Sequence, residues 1–504
     1  MATFIAYCLV LILCYFIYRY KNRRIYSMLR NIKTAKEDIP LFGVSLFLLG
    51  NAEHIMNKMI QYGRAATAFG GITKATLGPF VYLVITDPAS IEVVLKNCLE
   101  KDKLHRFLHY FLGNASIFAP VSIWKPRRKV TVPAFSPKII SSFFDIFVEQ
   151  SLKLVESLKP MVGAGKFKIW PYINSYNLDS VMESSMGISL TDEDNYDVFL
   201  KASYDAMKYS SERIFHPWLQ PDWIYKFFPQ YEKLKKATEI IHDLTDKVIV
   251  KKKSQMRKIQ TGEAKVHETN DGRKQLLTFL DQLISHSGGV DGLNNLAIRE
   301  EVLTFILAAS DTSAVAIGNT LKLLGKYPEI QHKVMEELDS LYGDSDRLIE
   351  KDDFPKLQYL ERVIKESMRL FPPVPFIVRT ATEDSPLNKE ITIPEGTGIV
   401  INIYGVHRNP VVWGSDADCF DPDRFLPERM QGMQPCSFMP FSQGPRNCLG
   451  YRYAIMSITT VLTTLLRRYK VIGEPEKTLI PKIRCRYDLM MKAIDGYEVA
   501  LELR

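Results

Sequence analysis

The chain has seven cysteines, and Cys448 stands in unusual company. FSQGPRNCLG, Phe441 to Gly450, sets it among two glycines, a proline and an arginine. Gly444 and Pro445 turn the chain, and Gly450 leaves bare backbone two residues past the sulfur. The apolar run that follows reads as a helix. Cys448 is then just before a helix N-terminus, where the dipole and free N–H donors favour a thiolate. Glycine on both sides lets a flat, bulky group approach closely, and Arg446 aims a permanent cation at something anionic. An anionic sulfur, room for a plate and an arginine for its carboxylates together describe a haem held by thiolate. A structural buried cysteine needs neither the glycines nor the arginine.

Other groups could serve the same chemistry. REEVLTFILAASDTSAVAIGNTLKLLGKYP is a long apolar helix with Asp311 and Thr312 in its middle. A carboxylate beside a hydroxyl inside an apolar helix is costly unless used. A mid-helix threonine can bond back to the carbonyl one turn earlier, and the distortion would leave a groove for dioxygen. KESMRLFPPVP puts Glu366 and Arg369 on one helical face, and the helix must stop at Pro372-Pro373. By itself such a pair reads as a surface ion pair. Trp124 and Arg128 in WKPRR are one turn apart and read equally as a simple stacking pair.

FSQGPRNCLG matches the pattern FxxGxRxCxG, and with the segments above in the same order the chain resembles the cytochromes P-450, the haem-thiolate monooxygenases. The resemblance covers nearly the whole chain. It implies Cys448 as the axial ligand of the iron of haem (heme b), with Trp124, Arg128, Arg379 and Arg446 on the haem propionates. It implies Thr312 as the residue that places a proton on the distal oxygen and Asp311 as the acid that relays it. It implies a buried structural triad of Glu366, Arg369 and Arg424, the last from DPDRF. The chain departs from the pattern at Ala309, where glycine is usual; the extra methyl is expected to alter coupling more than activity.

Within the superfamily EVLTFI, VPFIVR, IYGVHRNP and FSQGPRNCLG look most like family four and its insect relatives. Many of these hydroxylate fatty acids near the chain end. Some attach haem through a glutamate three residues before the Asp; Ala308 stands there and cannot form the ester. The implied reaction inserts one atom of O2 into an apolar substrate, with fatty acids, terpenoids, pheromone-like compounds and xenobiotics all open. Electrons from NADPH would come through a flavoprotein reductase, with cytochrome b5 as a further donor, since no G-x-G-x-x-G fingerprint is present. Arg127, Lys129 and Arg452 are candidate contacts for that partner. The rival readings are a haem-thiolate isomerase or dehydratase acting on peroxides, and a non-catalytic haem-binding protein. The first does not need Asp311-Thr312, and no histidine has an assignable distal role for the second.

The elements that must hold these residues can be read along the chain. The fold class expected is mainly α with small β-sheets, the P-450 fold, with one N-terminal transmembrane helix. ATFIAYCLVLILCYFIY carries no charge and RYKNRR follows it, which reads as a signal anchor that leaves the basic residues and the body cytosolic. The expected divisions are an anchor at 1–24, a linker at 25–50 and a catalytic body at 51–504, on the endoplasmic reticulum membrane of the microsomal fraction. An odd number of cysteines without a CxxC pair fits a reducing compartment and excludes a disulfide scaffold. The sequon Asn114-Ala115-Ser116 would never meet the glycosylation machinery there. A net charge of +8 is spread thinly. Lys251 to Lys274 reads as a solvated loop between helices, not as a nucleic-acid patch, because no aromatic residues interleave the charges. Phe80 to Ile85 reads as a strand and Asp87-Pro88 as a helix start. The last helix is expected from Cys448 through Val471. Pocket walls are expected near Leu104 to Ile117, Ile306 to Ala309 and Val374 to Val378.

Overall fold

A computed structural model describes the backbone of residues 2–34, 39, 42–189, 196–261, 277–288 and 292–504, and the side chains of these except 2–11 and 196. The chain is helix-dominated, with short strands gathered into small sheets. Ala2–Lys21 is helical, with Arg19 and Lys21 in its last turn. Within the stretch read as a linker, Leu29 is fully buried, and Val44 and Leu48 join the main core.

The body is organised around the helix Asn295–Lys326. Asn294 caps it by accepting from the Ala297 N–H at 2.8 Å. Its middle and C-terminal half are apolar nearly all round, the pattern of a helix enclosed by protein. It packs against Trp170–Val181, Pro229–Gln260, Gln358–Leu370 and Tyr451–Leu466. Among the described residues it is the helix long and apolar enough to cross a membrane, and 72% of that apolar window is buried inside the protein. It is a core helix.

The largest sheet has five strands in the order Ile72–Leu77, Phe80–Ile85, Gly398–Ile401, Ile377–Thr380 and Glu100–Lys101. The expected strand and helix start are both present: Asp87 caps Pro88–Asn97, accepting from the Ser90 N–H at 2.8 Å. The pairing of Glu100–Lys101 with Ile377–Thr380 sets Lys101 directly opposite Arg379. Gly398 is required where it stands, because a Cβ there would lie 2.3 Å from the Tyr82 ring on the adjoining strand.

Two expectations are corrected. The last helix ends at Leu466, and Tyr469–Ile472 is a strand paired antiparallel with Glu498–Leu503. Alternating burial along Tyr469, Lys470 and Val471 is the period-two signal of that strand. Lys251 to Gln260 is not loop but the end of Pro229–Gln260, where Lys252 is buried against Asp281 at 3.1 Å. Residues 262–276 of that stretch lie outside the described residues.

Candidate active site

The loop before the last helix is shaped by its backbone. Ser442 and Gly444 have φ of 58° and 74°. A Cβ on Gly444 would also lie 2.8 Å from the Leu95 carbonyl oxygen. Glycine is therefore needed there for the turn and for close packing on Pro88–Asn97. The Cys448 N–H donates to the Phe441 carbonyl at 3.0 Å and closes the loop, and Gly450 caps Tyr451–Leu466. Burial raises the pKa of the Cys448 thiol, while the Gly450 N–H and the Arg128 cation pull it back down. Cys436, the other cysteine of this region, is buried, and its thiol is pushed up to about 11 by burial.

Behind the loop is a closed charge cluster. Glu366 and Arg369, both fully buried, meet at two points, 2.6 and 2.8 Å. Arg369 spends its remaining donors on the carbonyls of His407, Ala417 and Cys419 at 2.5–3.0 Å. Arg424 Nε lies 3.6 Å from Glu366, and its other nitrogens bond to Trp413 and Asp416. His407, which sequence reading passed over, ties this cluster to the loop. Its Nδ1–H donates to the Arg369 carbonyl at 3.1 Å and its Nε2 accepts the Met439 N–H at 2.9 Å. Burial and the Arg369 cation push its pKa down to about 3.

On the other side the charges do not cancel. Arg446 stacks 4.7 Å over the Trp124 ring and donates to the carbonyls of Leu99, Ser116 and Ala119. Arg128, one turn after Trp124 in the helix Val121–Thr131, donates to Asn447 at 2.7 and 2.9 Å. Arg379 is 1% exposed, and its Nε has no hydrogen-bond partner. Burial and Arg446 lower its pKa to about 10, and burial with the Arg379 and Arg446 cations holds the Lys101 ammonium well below its usual range. His105 is pushed down by burial and by Lys101. Glu100 attracts Arg446, but among the described residues no carboxylate pairs with Lys101, Arg128, Arg379 or Arg446. Buried like charges without a counter-ion are costly. The arrangement suits a dianion laid between these cations and Cys448, which is what a haem with two propionates presents.

Beside this cluster is an apolar cavity of about 250 Å³. Its walls include Leu104, Phe111, Ile117, Leu307, Ala308 and Val374, inside the ranges expected. The structure adds walls that no sequence motif marked: Val44 and Leu48 near the N-terminus, Met207 and Phe215, and the hairpin residues Leu489 and Met490. His105, inside the expected range, is a polar lining residue; Lys101 and Thr304 are polar lining residues that were missed, and Thr304 Oγ1 is buried without a partner. Thr304 precedes Ala308 by one helical turn, so helical spacing could have flagged it.

Thr312 Oγ1 donates to the Ala308 carbonyl at 2.7 Å. The bond lies within Asn295–Lys326, which is α-helical throughout. A carbonyl has two lone pairs and can serve the hydroxyl and the helical N–H together. Asp311 and Thr312 are not among the residues that line the cavity. Asp311 is buried and accepts from Lys492 Nζ at 2.7 Å, a contact with no sequence signal. Arg127 is corrected as a docking contact, because it is enclosed between Glu300 and Glu301 at 2.9 and 3.0 Å; Lys129 and Arg452 remain exposed.

Comparison with known proteins agrees with this arrangement. The family model for cytochrome P450 matches residues 35–498. Cytochrome P450 4c3 of Drosophila melanogaster is 33% identical over 476 residues, covering 92% of this chain and 88% of that protein. Cytochrome P450 4c21 of Blattella germanica is 33% identical over 475 residues, 93% of each. Human cytochrome P450 4V2 is 33% identical over 485 residues, 95% of this chain and 91% of its own length. With a cysteine loop, a locked charge cluster behind it and an uncompensated cationic face before it, the chain belongs to the cytochrome P450 family and is a cytochrome P450 monooxygenase.

Proposed function

We propose that this protein is a membrane-anchored monooxygenase that inserts one oxygen atom of O2 into an apolar substrate. Its electrons come from NADPH through a flavoprotein reductase, with cytochrome b5 as a further donor. The observation that carries this reading is the cationic face of Lys101, Arg128, Arg379 and Arg446 beside an apolar cavity and the Cys448 loop. Haem, when bound, would supply activation of O2, and the Cys448 thiolate would hold its iron.

The chain's own residues do the rest. Trp124, Arg128, Arg379 and Arg446 bind and orient the propionates, and Lys101 adds a fifth donor from the facing strand. Glu366, Arg369 and Arg424 fix the loop that carries Cys448. Asp311 relays a proton through Oδ2, the oxygen without a hydrogen-bond partner, and Thr312 Oγ1 places it. The cavity lining excludes water and takes the substrate's hydrocarbon; fatty acids, terpenoids and xenobiotics share that chemistry. Ala2–Lys21 is the anchor, with the basic residues after it on the cytosolic side of the endoplasmic reticulum. Lys129 and Arg452 receive the acidic face of the reductase.

The test is Cys448→Ser in the full chain. The CO-shifted Soret band of a thiolate-bound ferrous haem is expected to disappear, because an alcohol is not an anionic soft donor. A retained band would overturn the assignment of Cys448 and move the ligand elsewhere.

A further inference from the structure

One contact is left unexplained by the roles above. Lys492 Nζ donates to Asp311 Oδ1 at 2.7 Å, with side-chain exposures of 5% and 8%. Among the described residues no other cation pairs with Asp311, and its second oxygen is unpartnered. Lys492 is far from Asp311 in sequence and belongs to the antiparallel hairpin of Cys485–Asp488 and Met490–Ala493. The tip of that hairpin, Leu489, and its neighbours Tyr487 and Met490 line the apolar cavity. Met490 and Lys492 are two residues apart, hence on one face of the strand. One short ribbon therefore touches the cavity at its tip and the buried carboxylate two residues further on.

The tip is also where the backbone is under tension. Leu489 has φ of 64°, a conformation unfavourable for leucine, at the turn between the paired Asp488 and Met490. Asp488 at the tip is held by Arg486 at 2.8 Å, and the Lys492 ammonium lies 5.0 Å over the Trp170 ring.

We propose that this hairpin couples occupancy of the cavity to the availability of Asp311. An apolar ligand that displaces Leu489 and Met490 draws Lys492 away from Asp311, so the carboxylate is released for proton transfer only when substrate is present. Lys492 is a positioning residue, acting through Asp311. The inference rests on the reading of Asp311 as the proton-relaying carboxylate. Because ligand and ion pair compete for one hairpin position, the coupling must be reciprocal: breaking the pair favours the ligand.

The experiment uses the full-length, haem-loaded enzyme and the tightest binder of a series from octanol to hexadecanol, neutral apolar probes. Hydrogen exchange at 485–493 is expected to rise on ligand binding in the wild type. Lys492→Met is expected to bind the alcohol at least about five-fold more tightly, and Lys492→Arg, which keeps the charge, to bind like wild type. In a Leu489→Gly background, where the tip no longer meets the ligand and φ is relaxed, Lys492→Met is expected to change affinity less than two-fold. A merely structural lysine would not produce tighter binding that depends on Leu489. Equal or weaker binding by Lys492→Met, or unchanged exchange in the wild type, overturns the coupling. Failure of the whole series to bind overturns the apolar-substrate reading and the coupling together. Absence of the Cys448 thiolate band with the exchange and affinity changes intact overturns the functional reading alone.

Discussion

The Cys448 loop stands between two buried charge clusters that are built on opposite principles. Behind it, Glu366 is met by Arg369 and approached by Arg424, and every free arginine donor of Arg369 finds a carbonyl. In front of it, Lys101 faces Arg379 across a strand pair, and among the described residues neither has a carboxylate partner. Charges satisfied by their own chain hold a scaffold together. Charges of one sign left unsatisfied describe the ligand, here an anion. Neither burial nor an unpartnered arginine Nε separates the two cases, since Arg379 and Arg424 each have one; the sign of the neighbours does.

The contrast predicts opposite signs for similar mutations. The largest effect is expected at Glu366→Ala, which leaves Arg369 buried without its counter-charge. It should cost about 3–5 kcal/mol and be seen as loss of haem content with a lower denaturant midpoint. A stable, fully haem-loaded variant would break the distinction at its closed side.

Comparable in size across its whole range is the acid response of His407. Its folded pKa is lowered from 6.5 to about 3, so between these values the unfolded chain binds the extra proton and stability rises with pH. As pH falls from 6.5 towards 3, stability should decline by up to about 1.4 kcal/mol per unit. Urea unfolding across this range, compared with His407→Gln, isolates the contribution. An unchanged slope in the variant would remove His407 as the tie between cluster and loop.

The smallest effect sharpens the open side. Lys101→Met should stabilise the haem-free chain by roughly 0.2–1 kcal/mol, since it relieves a like-charge pair across two strands, and yet speed loss of haem from the loaded protein. Denaturation of the haem-free form and haem transfer to a scavenging globin measure the two signs. Destabilisation in the haem-free state would mean that Lys101 is scaffold after all.

Much of this was legible because the chemistry is local. The loop around Cys448 needs a turn, a glycine and a helix start within ten residues, FSQGPRNCLG, and each leaves its mark in residue type. Glu366 and Arg369 share a helical face by spacing alone, as do Trp124 and Arg128. Where local signals conflicted, sequence reading failed: Tyr469–Ile472 follows a helix without a breaker and was absorbed into it, and Lys251 to Gln260 looked like loop because its charges hide one buried lysine.

Sequence by itself determined the thiolate loop, the acid–alcohol pair on an apolar helix and the family, because each depends on residues a few positions apart. Only the tertiary structure decided what surrounds them. Lys101 opposite Arg379, His407 between Arg369 and Met439, Arg127 enclosed by Glu300 and Glu301, and Lys492 on Asp311 all join residues distant in sequence. A lysine's type does not reveal its partner. Its pairing depends on which strand register and which helix packing bring a carboxylate or another cation within about 4 Å, and whether water is excluded there.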